Sequence, residues 1–196
     1  MFKEKIYKYC FMLDGNKEII YPKMIDNQNF GYIIFCNTPY YKLTKKQLSA
    51  VIKALSKNNQ ISSIFEIDIE IFNKEDWLRL DDTIENYSCE DDKALERAEI
   101  SKIRKIDTVN IEKYNSQMQL FENIIIDSEN EWGISIFMDE WAIMFAKNDV
   151  LQDISCNYNL KNDIKNFKEL IHYSEKTFST NIDFLSKLIT NVFESR

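Results

Sequence analysis

The apolar and polar positions at the start of the chain predict three successive strands. Clusters of Asp, Asn and Gly separate the segments, each rich in Ile, Tyr and Phe: residues 5–13, 18–25 and 30–37. Between the first two, the pair Asp14-Gly15 favours a tight hairpin, because glycine accepts a positive φ without a Cβ clash.

The period of the pattern then changes from strand to helix and back. Residues 44–58 place apolar side chains three and four positions apart, which predicts a helix. Thr44 and Gln47 form a capping-box pattern at its start. Residues 65–72, FEIDIEIF, return to a period of two and predict a strand. One face of that strand would carry three acids: Glu66, Asp68 and Glu70.

Strand signals are absent from residues 73–107, where the chain is highly charged. Residues 90–106 begin with acids suited to a helix N-terminus and have good helix propensity, so we expect a charged surface helix there. For residues 108–121 the sequence does not decide between a helix and a strand.

The last third of the chain predicts more strands and then helices. Residues 132–138 and 141–147 alternate in polarity and predict a hairpin with one buried aromatic face, preceded by a strand at residues 122–128. Helical spacing follows in residues 160–171 and 182–192, which predicts two helices, with one bent helix as the alternative.

Together these elements predict an α+β fold: a mostly antiparallel sheet with one early helix, a charged middle helix and a helical C-terminus. The 196 residues suit one domain, 1–196. A division into sub-units 1–72 and 108–196, joined by the acidic segment 73–107, is the alternative. With only 3 Gly and 2 Pro, a long disordered linker is not expected.

Composition and cysteine usage predict a cytoplasmic soluble protein. No window approaches the roughly 18 apolar residues of a membrane helix, and the amino terminus has no apolar run of signal-peptide length. The 4 cysteines are far apart and form no CxxC pair. We therefore expect reduced thiols, with neither a zinc site nor a disulfide framework.

The charge of the chain is concentrated in one stretch. The net charge of −7 disfavours a nucleic-acid binder. Residues 64–92 contain eleven acidic and two basic residues, a net charge of −9, which leaves +2 for the remainder. Such a local field steers a basic protein partner. The predicted partner-binding residues are six acids and an apolar anchor: Glu66, Asp68, Glu70, Asp76, Trp77, Asp81 and Asp82.

Three interpretations of the strand acids remain open. They face water on a half-solvated strand, or they contact a basic protein. In the third interpretation, two carboxylates share a divalent ion in a nuclease-like enzyme. The acids are two positions apart, so the Cα atoms of one acid and the next would lie about 6.6–6.8 Å apart along the strand.

Other candidate chemistry is sparse, so we expect no catalytic residue, cofactor or metal site. His172 is the only histidine, which excludes a mechanism that needs two, and we expect it to have a packing or surface role. No serine lies in GxSxG. Trp132 and Trp141 are expected in the core, because the hairpin periodicity already accounts for them.

Residues 124–145, IIIDSENEWGISIFMDEWAIMF, carry a resemblance to a known class of proteins. A strand, an acidic turn, a WGI strand and a WxI strand follow one another, as in some bacterial immunity proteins. Those proteins neutralise the toxins of contact-dependent or polymorphic toxin systems. The resemblance covers about 22 of 196 residues and supplies no catalytic residues. It implies a one-to-one complex with a cognate toxin domain, often a nuclease.

The sequence thus predicts a binding protein of the immunity class, whose acidic strand and following loop occupy a basic cleft of a toxin. Two alternatives stay open: a metal-dependent, nuclease-like enzyme, and a non-catalytic scaffold or phage-type inhibitor. The sequence carries no signal for an oligomeric state.

Overall fold

The computed structural model describes nine stretches of the chain: residues 12–13, 20–21, 29–38, 42–62, 64–68, 103–106, 123–127, 131–137 and 141–177. The strands of these stretches are β1 (Met12–Leu13), β2 (Ile20–Tyr21), β3 (Phe30–Cys36), β4 (Ile64–Asp68), β5 (Ile103–Ile106), β6 (Asn123–Asp127), β7 (Gly133–Phe137) and β8 (Trp141–Lys147). The helices are α1 (Lys45–Lys57), α2 (Asn148–Asn157) and α3 (Lys161–Thr177). Strands and helices with antiparallel pairing confirm the predicted α+β class.

Six strands form one sheet in the order β3-β8-β7-β6-β4-β5, and every pair is antiparallel. The strands β6, β7 and β8 form a meander, in which the pairing of β7 with β8 confirms the predicted hairpin. The strands β3 and β4 come from the first 72 residues and pair with β8 and β6, from the last 74. The two stretches weighed as sub-units are therefore interleaved in one hydrogen-bonded sheet.

A separate pair of strands lies near the amino terminus. Met12 is opposite Tyr21 and Leu13 is opposite Ile20, so the first two predicted strands do pair with each other. Asp14 and Gly15, the predicted turn, lie outside the described residues.

The centre of the large sheet is buried on both faces. In β8, every residue from Trp141 to Ala146 is buried, and Ser135 of β7 is 1% exposed. Since successive residues of a strand point to opposite faces, the prediction of a hairpin with a single buried face is wrong. Helices α1 and α2 pack against the face formed by one set of alternate residues, which includes Phe35, Ile136 and Met144.

Helix α1 starts as its capping box predicts. The Thr44 backbone nitrogen donates to Gln47 Oε1 at 2.8 Å, and the Gln47 backbone nitrogen donates to Thr44 Oγ1 at 3.3 Å. The helix ends at Lys57, and Asn59 leaves it with a positive φ of 53°. Two backbone N–H groups at the helix start, which have no partner within the helix, thus receive side-chain acceptors from residues three positions apart.

Two elements differ from the sequence prediction. Ile103–Ile106 is the strand β5, so the predicted helix over residues 90–106 is wrong at its end, and residues 90–102 lie outside the described part. The stretch pairs with β4, and strand pairing overrides local helix propensity there. Helix α2 was not predicted. Helix α3 confirms the stretch 160–171, whereas residues 108–121 and 182–192 lie outside the described residues.

Candidate functional site

The first of the predicted strand acids is a buried residue. Glu66 is 7% exposed, and its neighbours Phe65 and Ile67 are 0% exposed. Because this side chain is buried, the interpretation that the strand acids face water is wrong for Glu66. Its Cα partners are Arg104 on β5 and Ile125 on β6, and the register therefore places a basic residue directly across from the acid.

The remaining predicted partner-binding residues begin where β4 ends. Asp68 is the last residue of β4 and is paired with Asn123, while its side chain lies outside the description. Five others lie outside the described residues, so their role stays a prediction: Glu70, Asp76, Trp77, Asp81 and Asp82.

The sheet topology nevertheless fixes where the acidic stretch leaves the fold. Since β4 and β5 are adjacent and antiparallel, residues 69–102 begin and end at the same end of the sheet. The register through β6, β7 and β8 places Cys36, the last residue of β3, at that end too.

A buried polar cluster holds this end of the sheet to the helices. Asp163 is 1% exposed, and its Oδ1 accepts from the Cys36 backbone nitrogen at 2.7 Å and from Gln47 Nε2 at 3.0 Å. Its Oδ2 accepts from the Tyr158 hydroxyl at 2.9 Å. Gln47 Nε2 also donates to the Cys36 carbonyl at 2.8 Å. One carboxylate thus joins β3, α1, α3 and the α2–α3 connection.

The cluster keeps its two weak acids protonated. Burial raises the pKa of the Cys36 thiol to about 12, and the nearby Asp163 acts in the same direction. Burial raises the pKa of Tyr158 to about 12 as well, with its hydrogen bond to Asp163 as the second cause. At neutral pH, Cys36 is therefore a thiol and not a nucleophilic thiolate, which suits a structural role.

The structure also gives the exposure of the two tryptophans, the histidine and two of the cysteines. Trp132 is 2% exposed and Trp141 is 7% exposed, which confirms both as core residues. His172 is exposed on α3, consistent with its expected surface role. Cys36 and Cys156 are both free thiols, the first buried and the second exposed.

A basic cleft opens beside the polar cluster, between α1 and the α2–α3 connection. It has a volume of about 810 Å³ and is lined by Lys45, Lys46, Ser49, Ala50, Lys53, Asn157, Tyr158, Asn159 and Asn162. Sequence reasoning missed it because its two walls are about 110 residues apart along the chain. The sequence feature that could have indicated the cleft is the spacing of Lys45, Lys46 and Lys53, which places three lysines on one side of α1.

Among the described residues, no three side chains of His, Cys, Asp and Glu are grouped as a metal site requires. No helix in this part of the chain is long and apolar enough to cross a membrane. Comparison with models of known protein families, with curated proteins and with solved structures found no match.

Proposed function

We propose that the chain is a non-catalytic binding protein of the immunity class, which neutralises a basic toxin domain in a bacterial cytoplasm. The observation that carries this proposal is the net charge of −9 on residues 64–92, in a chain whose total is −7. Charge concentrated in this way accelerates encounter with a partner of opposite sign and disfavours wrong partners.

The anchoring of the acidic stretch supports the proposal. Its first residues belong to β4, where Phe65 and Ile67 are 0% exposed, and its return strand β5 starts with Ile103 opposite Ile67. Because β4 and β5 are adjacent and antiparallel, the acidic stretch leaves the sheet and returns to it at the same end.

The burial of Glu66 narrows the proposed contact surface. A side chain that is 7% exposed contributes to the packing of β4, but it is poorly placed for direct contact. We assign the contact to the other predicted acids, with Trp77 as the apolar anchor, since tryptophan is enriched among residues that dominate binding energy. These acids are Asp68, Glu70, Asp76, Asp81 and Asp82.

The resemblance of residues 124–145 to immunity proteins agrees with a binding role. In the structure these residues supply the β6, β7 and β8 meander, with Trp132 and Trp141 in the core. The shared pattern thus concerns the framework of the fold, and the acidic stretch supplies the proposed contact.

The experiment begins with the partner. Tagged wild-type protein is used to capture a partner from lysate of the native host, and the captured protein is then purified and its binding kinetics are measured. We expect one basic protein in a one-to-one complex. Neutralising Asp76→Asn, Asp81→Asn and Asp82→Asn together should slow association at least tenfold at low salt. The difference should shrink as salt screens the charges.

A control variant separates local charge from total charge. It carries Glu131→Gln, Asp149→Asn and Glu169→Gln, which change the net charge by the same three units elsewhere. We expect its association rate to stay within twofold of wild type. Equal slowing by both variants, or capture of an acidic partner, would contradict the proposed surface. Trp77→Ala should mainly speed dissociation, because packed apolar contacts set the residence time.

A further inference from the structure

The basic cleft has a charge opposite to that of the chain as a whole. One wall is α1, with Lys45 and Lys46 in its first turn and Lys53 two turns further on, and no aspartate or glutamate is among the residues that line the cleft. The other wall is the α2–α3 connection, which supplies polar amides. A cleft of about 810 Å³ falls in the range of small-molecule sites, roughly 300–1,000 Å³.

The three lysines of the cleft are uncompensated within the described part of the chain. No described carboxylate lies within 4 Å of their ammonium groups, whereas three other described lysines do have such partners. These pairs are Lys57 with Asp153 at 2.5 Å, Lys147 with Glu131 at 2.6 Å and Lys165 with Glu169 at 3.7 Å. The chain therefore pairs lysines elsewhere and leaves these three available to a ligand.

Two of these lysines occupy an unfavourable position. Lys45 and Lys46 are the first two residues of α1, and the first turn of this helix contains no acid. The N-terminal end of a helix carries partial positive charge, so cations there cost stability and anions restore it. Residues that break a local rule of helix stability in this way are expected at functional sites.

The opposite wall adds hydrogen-bonding groups and a second helix start. Asn159 and Asn162 line the cleft where α3 begins, and Asn159 Oδ1 accepts from the Lys161 backbone nitrogen at 3.1 Å. Tyr158 is held by its hydroxyl, which donates to the buried Asp163. The hydrogen bonds of Tyr158 and Asn159 restrain part of this wall before a ligand binds, which lowers the cost of binding.

We propose that this cleft binds a small phosphorylated ligand that carries at least two phosphoryl groups. Phosphate suits point charges such as lysine ammonium groups and the N-terminal ends of helices. The cleft supplies lysines and no arginine, so it would hold phosphoryl groups by point charges and not by bidentate hydrogen bonds. Three lysines in a chain of charge −7 are too few to neutralise a nucleic-acid backbone. This site is independent of the proposed toxin partner.

The test uses pyrophosphate and ATP as probes in calorimetric titrations of the full chain. We expect saturable binding to wild type with a stoichiometry of one. The triple variant Lys45→Gln, Lys46→Gln and Lys53→Gln should bind at least tenfold more weakly. The matched control is Lys57→Gln, Lys147→Gln and Lys165→Gln, which removes the same charge from the paired lysines and should stay within twofold of wild type.

Thermal unfolding gives a second readout that does not depend on calorimetric signal. A ligand that binds only the folded chain raises its unfolding temperature, so pyrophosphate should raise that of wild type and of the control but not that of the cleft variant. Lys53→Gln alone, away from the first turn of α1, replaces the triple variant if the latter does not fold.

Several outcomes would overturn the proposal. Absence of pyrophosphate and ATP binding at millimolar concentration is one, and equal weakening in both triple variants is another. Citrate that binds as tightly as pyrophosphate would refute the phosphate preference. Binding of an oligoglutamate peptide without binding of either phosphate probe would assign the cleft to an acidic polypeptide instead.

Discussion

The Oδ1 atom of Asp163 accepts a hydrogen bond from the backbone nitrogen of Cys36 at 2.7 Å, across 127 positions of sequence. Cys36 is the last residue of β3, and Asp163 lies in the first turn of α3. The same oxygen also accepts from Gln47 Nε2, and the other carboxylate oxygen accepts from Tyr158. A buried group that satisfies three donors from three elements is expected to be costly to remove.

Replacing Asp163 by alanine should lower the free energy of unfolding by about 2–4 kcal/mol, because buried donors lose their acceptor. Urea unfolding measures this loss. Asp163→Asn, which keeps one carbonyl acceptor, should fall between alanine and wild type. Glu169→Ala, at an exposed position of the same helix, is the control and should change stability by about 0.5 kcal/mol at most. An Asp163→Ala protein as stable as this control would show that the cluster does not support the fold.

The same cluster predicts a loss of stability in alkali. The pKa values of Cys36 and Tyr158 are raised from 9.0 and 10.0 to about 12 in the folded state. At a pH between the ordinary pKa and the raised pKa of each group, the unfolded chain has released a proton that the folded chain still holds. The free energy of unfolding therefore falls as pH rises. The contribution is complete below about pH 9 and is lost progressively as pH rises towards about 12.

Urea unfolding at intervals between pH 8 and pH 11 measures this decline. Cys36→Ala and Tyr158→Phe each remove one of the two groups, so each variant should show a shallower decline than wild type, whatever its stability at pH 8. If all three proteins declined with equal steepness, other groups would account for the alkaline transition.

Local signals in the sequence predicted the elements that depend on neighbouring residues. The capping box of Thr44 and Gln47 and the hairpin of β7 and β8 are of this kind, since each is formed within a few positions or between consecutive strands. The burial of Glu66 was not predictable in this way. The alternation in FEIDIEIF is typical of a half-solvated strand, whereas residues 64–67 are buried on both faces of the sheet, which depends on tertiary packing.

Only the part of the candidate site that depends on neighbouring residues was predicted from the sequence. The acidic stretch is contiguous, so counting charges located it. Gln47 was recognised only as a capping residue, although its side chain also bonds the distant Cys36 and Asp163. The basic cleft required the approach of α1 to the α2–α3 connection, which no local pattern encodes.

A hydrogen bond of Trp132 near the C-terminal end of α1 is expected to contribute to stability. Its indole Nε1 donates to the Gln60 carbonyl at 2.7 Å, just beyond the end of that helix, and the side chain is 2% exposed. Trp132→Phe keeps an aromatic ring but removes the donor, and should cost about 1–3 kcal/mol of unfolding free energy.

Chemical denaturation of Trp132→Phe beside Ile136→Val separates this hydrogen bond from simple packing loss. Ile136 lies on β7, the strand that directly follows Trp132, is 0% exposed, and its truncation should cost about 0.5–1.5 kcal/mol. A cost for Trp132→Phe below that of Ile136→Val would indicate that the indole nitrogen contributes little.

The packing of α3 on the sheet depends on Phe167. Its ring is 0% exposed and lies 5.0 Å from the ring of Trp141, centroid to centroid, at an interplanar angle of 50°. Truncation to alanine leaves a cavity beside Trp141 and should cost about 3–5 kcal/mol, a large share of the roughly 5–15 kcal/mol that stabilises a typical domain. Phe167→Leu refills most of that space and should cost less than half as much.

Denaturation midpoints of the two Phe167 variants test this ranking, and the double variant with Asp163→Ala tests whether the two contacts act together. Asp163 and Phe167 lie one turn apart on α3, and both hold this helix to the end of the sheet. If either single substitution already detaches the helix, the double variant loses less stability than the sum of the single losses. Strict additivity would instead mean that the polar cluster and the aromatic contact hold α3 independently.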